Sequence, residues 1–464
     1  MSAALAVGVF LGAYALIASE KGNRMAVALG GAGLMLALGL VSSADAFHSE
    51  QFGVDWDVIF LLLGMMVIVG VIKQTGLFDY LAIWSAKRAR GRPFRILVTL
   101  TTITAVASAL LDNVTTVLLV APVTFLICER LALPAAPFLI AEALASNIGG
   151  TATLIGDPPN IIIASQADLS YTDFLLHLAP LVVVLMLLFI AMSRWLFRTA
   201  LVYRPDRARE LMTLDEREAL TDRPLLIRSL IVLALVTVAF ALHGVLHYEP
   251  SVVALLGAGL LLLVARRRVE PFLREVEWPT LAFFAGLFIM VGALIKTGVI
   301  AQLAQIVAKA TGGSLWVGSM LLLWASGLLS AIVDNIPYVA TMAPVTTTLV
   351  HDLGNGRDAT VLWWALALGA DLGGNATAIG ASANVVILGL AQRAGHPISF
   401  LEFTKYGVVV AVPPCWSVCP TCGFATSPSP EPHAPSQRCQ ETARPAEPRT
   451  WQGRDPDWRL ALKY

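Results

Sequence analysis

A seventeen-residue stretch occurs twice in this chain. Residues 108–124 read SALLDNVTTVLLVAPVT and residues 330–346 read SAIVDNIPYVATMAPVT, with nine of seventeen positions identical at a constant offset of 222. Each copy sets an Asp-Asn pair, Asp112-Asn113 and Asp334-Asn335, inside apolar sequence. A carboxylate and an amide are costly in lipid unless they bind something. The pairs therefore constrain the fold and point to a transport site.

A second pair of segments repeats as well. NIGGTATLIGDPPN (147–160) and DLGGNATAIGASAN (371–384) agree at seven of fourteen positions with an offset of 224. Gly149-Gly150 and Pro158-Pro159 cannot continue a regular helix, which predicts a broken helix in the first half and, by the repeat, in the second. Gly-Gly pairs also serve close helix packing, and both uses stay open here. Trp56 and Trp278, which open equivalent apolar runs, keep the offset of 222, so the repeat covers most of each half.

The chain is 57% hydrophobic and only 14% charged over 464 residues, more apolar than a soluble core requires. The expected fold class is an all-α polytopic membrane protein with two inverted repeats, each holding a re-entrant hairpin and a broken transmembrane helix. Its 32 basic and 32 acidic residues cancel, which gives no case for nucleic acid as a partner. The first apolar run, residues 3–18, has no Lys or Arg before it and further spans after it, so it reads as a retained helix rather than a cleaved signal peptide. Of five cysteines only Cys128 lies in the apolar body, so no disulfide framework organises the fold.

Crossing a bilayer takes about 20 apolar residues. By that measure residues 3–18, 25–43, 57–75 and 173–193 are spans of the first half, and 226–246, 250–265 and 278–296 are spans of the second. Residues 75–95 carry Lys87, Arg88, Arg90, Arg92 and Arg95 and read as an interfacial helix. Residues 96–129 and 314–350 read as hairpins whose arms, about 15 residues each around Asp-Asn, are short for full spans. The expected organisation is a first membrane repeat at 1–193, a cytoplasmic linker at 194–225, a second inverted repeat at 226–412 and a Pro/Cys-rich, disordered tail at 413–464.

If each hairpin returns to the side it entered from, each half crosses five times, and an odd count inverts the second half. Lys21, Arg24, the 87–95 cluster, the 194–223 loop, residues 266–268 and Arg393 then share one side, as the positive-inside rule requires, with Lys309 and Arg357 as the main exceptions, and the N-terminus lies outside. The protein is expected in the cell membrane as a multi-pass protein, the inner (plasma) membrane if bacterial. Interrupted helices expose free backbone groups near the midplane. The candidate ion or substrate ligands are Asp112, Asn113, Asn147, Thr151, Thr153, Asp157 and Asn160 from the first half, and Asp334, Asn335, Asp371, Asn375, Thr377 and Asn384 from the second. Such oxygen ligands suit Na⁺ or a relayed proton as coupling ion, with no cofactor and no other metal. Any one Asp or Asn beside a break also has the option of capping a helix end. Glu142 lies nearby, and no Lys or Arg falls in a break or tip.

The stretches LLDNVTTVLLVAPVT (110–124), FLIAEALASNIGGTATLIGDPPN (138–160) and VDNIPYVATMAPV (333–345) resemble the ion transporter superfamily, in particular its arsenite permease and P-protein branch, with sodium/proton antiporters and citrate-type (SLC13-type) carriers as wider relatives. The resemblance runs from about residue 50 to residue 410. It implies a carrier with inverted repeats, an elevator-like transport domain and a homodimeric assembly, with Asp112-Asn113 and Asp334-Asn335 as tip ligands completed by the two breaks. The tip differs from the Ser-Asn-Thr type of dicarboxylate carriers. The expected function is a secondary active transporter for an inorganic ion or small arsenite-like oxyacid, with a Na⁺/H⁺ antiporter, a citrate or dicarboxylate carrier and, from another class, an ion channel as alternatives. Paired breaks at one site favour a carrier over a continuous pore. No HExxH motif, GxSxG elbow or nucleotide loop occurs in the apolar body, so an enzyme is not expected. Pro413-Pro414 is expected to stop the last span, and Cys415, Cys419, Cys422 and His433 are too irregularly spaced for a zinc site.

Overall fold

The computed structural model describes residues 2–18, 22–49, 52–203, 205–207, 215–266, 268–354 and 359–421; for residues 244, 245, 354 and 412–421 only the backbone is described. The described residues form α-helices and one 3-10 turn, Glu216–Ala219, without strands. Seven of the helices are long and apolar enough to cross a membrane: Trp56–Lys73, Pro93–Leu110, Asn113–Leu131, Ala179–Leu196, Arg223–Ala241, Trp278–Lys296 and Leu315–Ile332.

The repeat seen in the sequence is a repeat of elements. Trp56–Lys73 and Trp278–Lys296 both begin at the matched tryptophan. Each indole donates to a nearby backbone carbonyl, Trp56 to Phe47 and Trp278 to Leu273, both at 3.1 Å. The short helices Leu77–Arg88 and Val299–Ala310 follow, each entered through a glycine with positive φ, Gly76 at 77° and Gly298 at 78°. A side chain would strain that left-handed turn, which fixes glycine there. Then come the helix pairs Pro93–Leu110 with Asn113–Leu131 and Leu315–Ile332 with Asn335–Gly354. Their arms run 18 to 20 residues, longer than the sequence reading, because the helices take in Pro93–Arg95, residues 130–131 and residues 351–354, which polarity alone assigns to loops.

The two halves exchange helices at the centre. Trp56–Lys73 and Trp278–Lys296 are the most enclosed of the seven long helices. Gly64 of the first packs on the backbone of Ala254 in Pro250–Ala265, and Gly286 of the second packs on the backbone of Ala28 in Arg24–Ala37; in each case an added Cβ would lie 2.7 Å from a carbonyl carbon. Each central helix is thus braced by one from the opposite half. At the periphery, Ala179–Leu196 and Arg223–Ala241 expose Val183, Leu187, Ile227, Ile231 and Leu235, the apolar surface that lipid covers.

Polar contacts gather at two ends of these helices. Lys296 pairs with Asp45, Ser165 donates to Asp55, and Ser251 donates to Asp57 at 2.5 Å. At the other end Lys73 pairs with Glu275 at 2.6 Å, Lys87 pairs with Glu216, and Arg228 donates to the Val264 carbonyl at 3.1 Å. The ammonium of Lys296, helped by the Ser42 hydroxyl, holds the Asp45 carboxyl below the usual carboxylate range. What that pair contributes is present at neutral pH and fades as pH falls through the lowered value. The linker is fastened here too: Thr221 donates its backbone N–H to Thr75 at 3.0 Å and its hydroxyl to Gln74 at 2.8 Å.

The last helix, Phe400–Thr421, departs from the sequence expectation. Its backbone continues helically through Pro413 and Pro414 to Thr421 instead of stopping at the prolines. A proline removes one N–H bond and crowds the preceding turn, which bends or weakens a helix without always ending it. Residues 422–464 of the tail lie outside the described residues, and so does the question of a zinc site there.

The braced crossing makes a test. Gly286→Val puts methyl groups against Ala28 backbone that cannot move aside, and it should destabilise the protein by about 1–3 kcal/mol. Gly12→Ala, where a Cβ meets no atom within 4 Å, should stay within about 0.5 kcal/mol of the parent. Unfolding of both variants in mixed micelles, followed by circular dichroism, checks the contrast.

Candidate functional site

Both broken helices form where the sequence expects them. Ala135–Gly150 ends at the glycine pair, and Pro158–Ala167 begins on the prolines, which suit a first turn because its N–H groups lack helical partners. In the second half Val361–Gly373 is followed by Ser382–Arg393. The glycines serve both expected uses. A Cβ on Gly149 would lie 2.2 Å from the Ala105 carbonyl oxygen and one on Gly373 2.4 Å from that of Gly327, so they allow the breaks to press against the helix pairs. Gly150 and Gly374 close on Gly156 and Gly380 across their own breaks.

Side chains then hold the exposed backbone. Asn160 Nδ2 donates to the carbonyls of Gly150 (3.4 Å) and Thr153 (3.2 Å), and Asn384 Nδ2 donates to Gly374 and Thr377 (both 2.9 Å). Thr153 Oγ1 donates to Ala109 O and Thr377 Oγ1 to Ala331 O, each at 2.5 Å, pinning break to helix pair. Thr151 bonds back to Asn147 O at 2.9 Å. Three threonine hydroxyls among the candidate ligands therefore give their hydrogens to backbone carbonyls.

The centre is a buried network joining both halves. Asn113 Nδ2 donates to Asp157 Oδ2 at 2.8 Å and to Asn147 Oδ1 at 3.1 Å. Asn335, its counterpart, reaches the same Asp157 carboxylate at 3.3 and 3.4 Å. Asn147 Nδ2 donates in turn to Asn375 Oδ1 and Asn384 Oδ1, both at 3.0 Å. All of these residues, with Asp371, are buried. Asp371, repeat counterpart of Asn147, lies beside Thr151 and Asn160. Both of its carboxylate oxygens, Asn113 Oδ1 and Asn160 Oδ1 have no hydrogen-bond partner.

The two tip aspartates sit at the edge of this network and cap helices. Asp112 Oδ1 accepts from Thr115 N at 2.7 Å, and Asp334 Oδ1 from Ile336 N at 3.1 Å. Asp334 Oδ2 also accepts from Ser382 Oγ at 2.6 Å and from Arg24 Nη1 at 2.7 Å. Arg24 reaches in from a different helix, 310 residues away in sequence, and also touches Ser382 at 3.1 Å. Nothing local marks it; in sequence it is one more basic residue at a span end. Ser108 and Ser330 were also missed, although they open the two copies of the repeat. They donate to Ser146 O (2.7 Å) and Ala370 O (2.6 Å), tying each helix pair to its broken helix.

The helix starts at Asn113, Asn335, Pro158 and Ser382 all face this cluster, and their partial positive charges offset part of the four aspartates' negative charge. Among the described residues no three His, Cys, Asp or Glu side chains gather as a cluster that could hold a metal ion. Thus the site offers amide and carboxylate oxygens, helix starts and one guanidinium.

Residues 14–369 match the family model described as citrate transporter. An uncharacterized transporter of Mycobacterium tuberculosis is 57% identical over 406 residues, covering 88% of this chain and 94% of the relative. The human P protein is 33% identical over 489 residues, covering 89% of this chain and 58% of the P protein. The crystal structure of the Alcanivorax borkumensis YdaH transporter superposes with a TM-score of 0.58 at 15% identity, over 91% of this chain and 98% of that one, which shows a shared fold. With helices of membrane-crossing length throughout, the chain is a multi-pass membrane transporter, and it belongs to the citrate transporter (CitMHS) family of the ion transporter superfamily.

Proposed function

We propose that the protein is an ion-coupled secondary active transporter that moves an inorganic ion or small arsenite-like oxyacid by alternating access, with Na⁺ or H⁺ as coupling ion. The observation that carries this reading is the run of unpartnered acceptors in the buried network: both Asp371 oxygens, Asn113 Oδ1 and Asn160 Oδ1. A buried acceptor without a donor costs about 1–3 kcal/mol. Four together favour a cation, and hard oxygen ligands fit Na⁺. Asp371, Asn113 and Asn160 would hold it, with Asp157 adding charge. The coupling ion would then lower the negative charge that a small oxyacid meets, while Arg24 and four helix starts attract it. A tricarboxylate would need more positive charge than Arg24 supplies. A Na⁺/H⁺ antiporter is the second reading, favoured by the same acceptor-rich network.

The topology belongs to this proposal: two inverted repeats at 1–193 and 226–412 around the 194–225 linker, with the helix pairs entering and leaving on one side, in the cell membrane, the inner (plasma) membrane if bacterial. The sorting of polar contacts supports it. Asp45, Asp55, Asp57, Ser165, Ser251 and Lys296 share one end and Lys73, Lys87, Glu216, Arg228 and Glu275 the other, the grouping that five crossings per half require.

Two experiments check this reading. In proteoliposomes under imposed Na⁺ or pH gradients, Asp371→Asn and Asp157→Asn should each lower arsenite uptake by about 10–100-fold; unchanged flux in both would remove the site. In a background with native cysteines replaced, Asp45→Cys and Lys296→Cys should react with an impermeant maleimide on intact cells. Lys73→Cys and Glu216→Cys should react only after permeabilisation, and labelling of all four from one side would overturn the inversion.

A further inference from the structure

One buried carboxyl group is left over by the network above. Glu142, on Ala135–Gly150, is fully buried. Its Oε1 accepts from Thr124 Oγ1 at 2.5 Å across the interface with Asn113–Leu131, and its Oε2 has no hydrogen-bond partner. Glu142 lies one turn before Ser146, which bonds Asn113 O at 2.9 Å, and so shares a helix face with a residue of the central network. On the facing helix Thr124, Thr116 and Asn113 fall on one face, and the Thr116 hydroxyl is also buried without a partner. Glu142 thus stands at the Thr124 end of a column of hydroxyls, Thr124, Thr116 and Ser146, spaced about one to two helical turns apart along the interface that reaches Asn113.

The second half lacks this column. At the repeat offsets Leu366 replaces Glu142, Ala370 replaces Ser146 and Tyr338 replaces Thr116. Thr346, the counterpart of Thr124, turns back to Met342 O at 3.0 Å, and the Tyr338 hydroxyl pairs with Ser326 at 2.9 Å. A frame otherwise duplicated carries a carboxyl on one side only, where an ionised group would be costly.

A positive charge must accompany an ionised Glu142, and the surroundings decide which. A metal cation needs several oxygen ligands, but among the described residues only the Thr124 hydroxyl bonds Glu142, with its hydrogen turned to the carboxylate. A proton needs no further ligand. Among the described side chains, the titratable groups on the helices packed against Glu142 are Cys128, which lies close by, Asp371 in the central network, and Tyr406, whose ring packs on Phe197. Arg95, Glu129, Arg130, Arg194, Arg393, Glu402 and Lys405 on those helices are all exposed.

We propose that Glu142 is a proton-binding site distinct from the central network, filled and emptied through the hydroxyl column, and that it couples a proton gradient to transport. Oε2 takes a proton from water and returns it to water, and no other bond changes. This rests on the transporter reading, and its test has an arm independent of flux. In the full-length protein reconstituted in lipid, pH-difference infrared spectroscopy should show a buried protonated-carboxyl band that is lost in Glu142→Gln and shifted in Thr124→Val, which keeps the carboxyl in place. With arsenite as probe solute, Glu142→Gln should lower pH-gradient-driven uptake at least 10-fold while gradient-free counterflow stays within twofold. A band unchanged in both variants, or pH-driven uptake by Glu142→Gln equal to the parent, overturns the assignment. If the parent carries no arsenite, the function reading is what fails, and the infrared band still decides on Glu142.

Discussion

The centre of this protein depends on how it satisfies the backbone that two broken helices expose. Inside a membrane no water replaces the lost helical bonds, so each free carbonyl must find a donor from the chain. Asn160 and Asn384 supply it, each amide spanning two carbonyls of its own break. Thr153, Thr377, Ser108 and Ser330 then fasten the breaks to the helix pairs. Only after this closure can Asn113, Asn147, Asn335 and Asp157 hold fixed positions.

The frame is duplicated but its chemistry is not. Asn147 in the first half corresponds to Asp371, and Asp157 corresponds to Ala381, so the carboxylate changes place between the two breaks. Both amide tips reach the same Asp157, while Asp371 is left with unpartnered oxygens. The tips differ as well: Asp334 is gripped by Arg24, whereas Asp112 has the acidic Glu277 within electrostatic range. One duplicated scaffold thereby holds an asymmetric set of polar side chains at its centre.

Much of this was legible in the sequence because it was written twice. The constant offsets located the helix starts at Trp56 and Trp278, the tips, and the breaks, since intramembrane Asp, Asn, Gly and Pro have few neutral uses. Contacts between distant segments leave no periodic trace, so Arg24 looked like any cytoplasmic arginine and the exchange of Gly64 and Gly286 partners was invisible. Helix ends were misjudged where polarity and helicity part company, at Pro93–Arg95 and at Pro413-Pro414, because hydropathy reports the solvent a residue prefers and not whether its backbone bonds continue. The threonines of the breaks donate their hydroxyl hydrogens to carbonyls, which leaves their lone pairs free to face an ion, and composition alone shows neither role.

The two glycine turns, alike in backbone angle, differ in what surrounds them. An added Cβ on Gly76 would lie 1.9 Å from the Ala219 carbonyl oxygen, under a linker stapled by Thr221 and by the Lys87–Glu216 pair; one on Gly298 would meet no atom within 4 Å. Of two matched joints between the central helices and the helix pairs, one has the linker packed on its glycine, while the other leaves its glycine open and carries the Lys296–Asp45 pair two residues earlier. The duplicated halves thus differ in what covers a turn even where its backbone angle agrees.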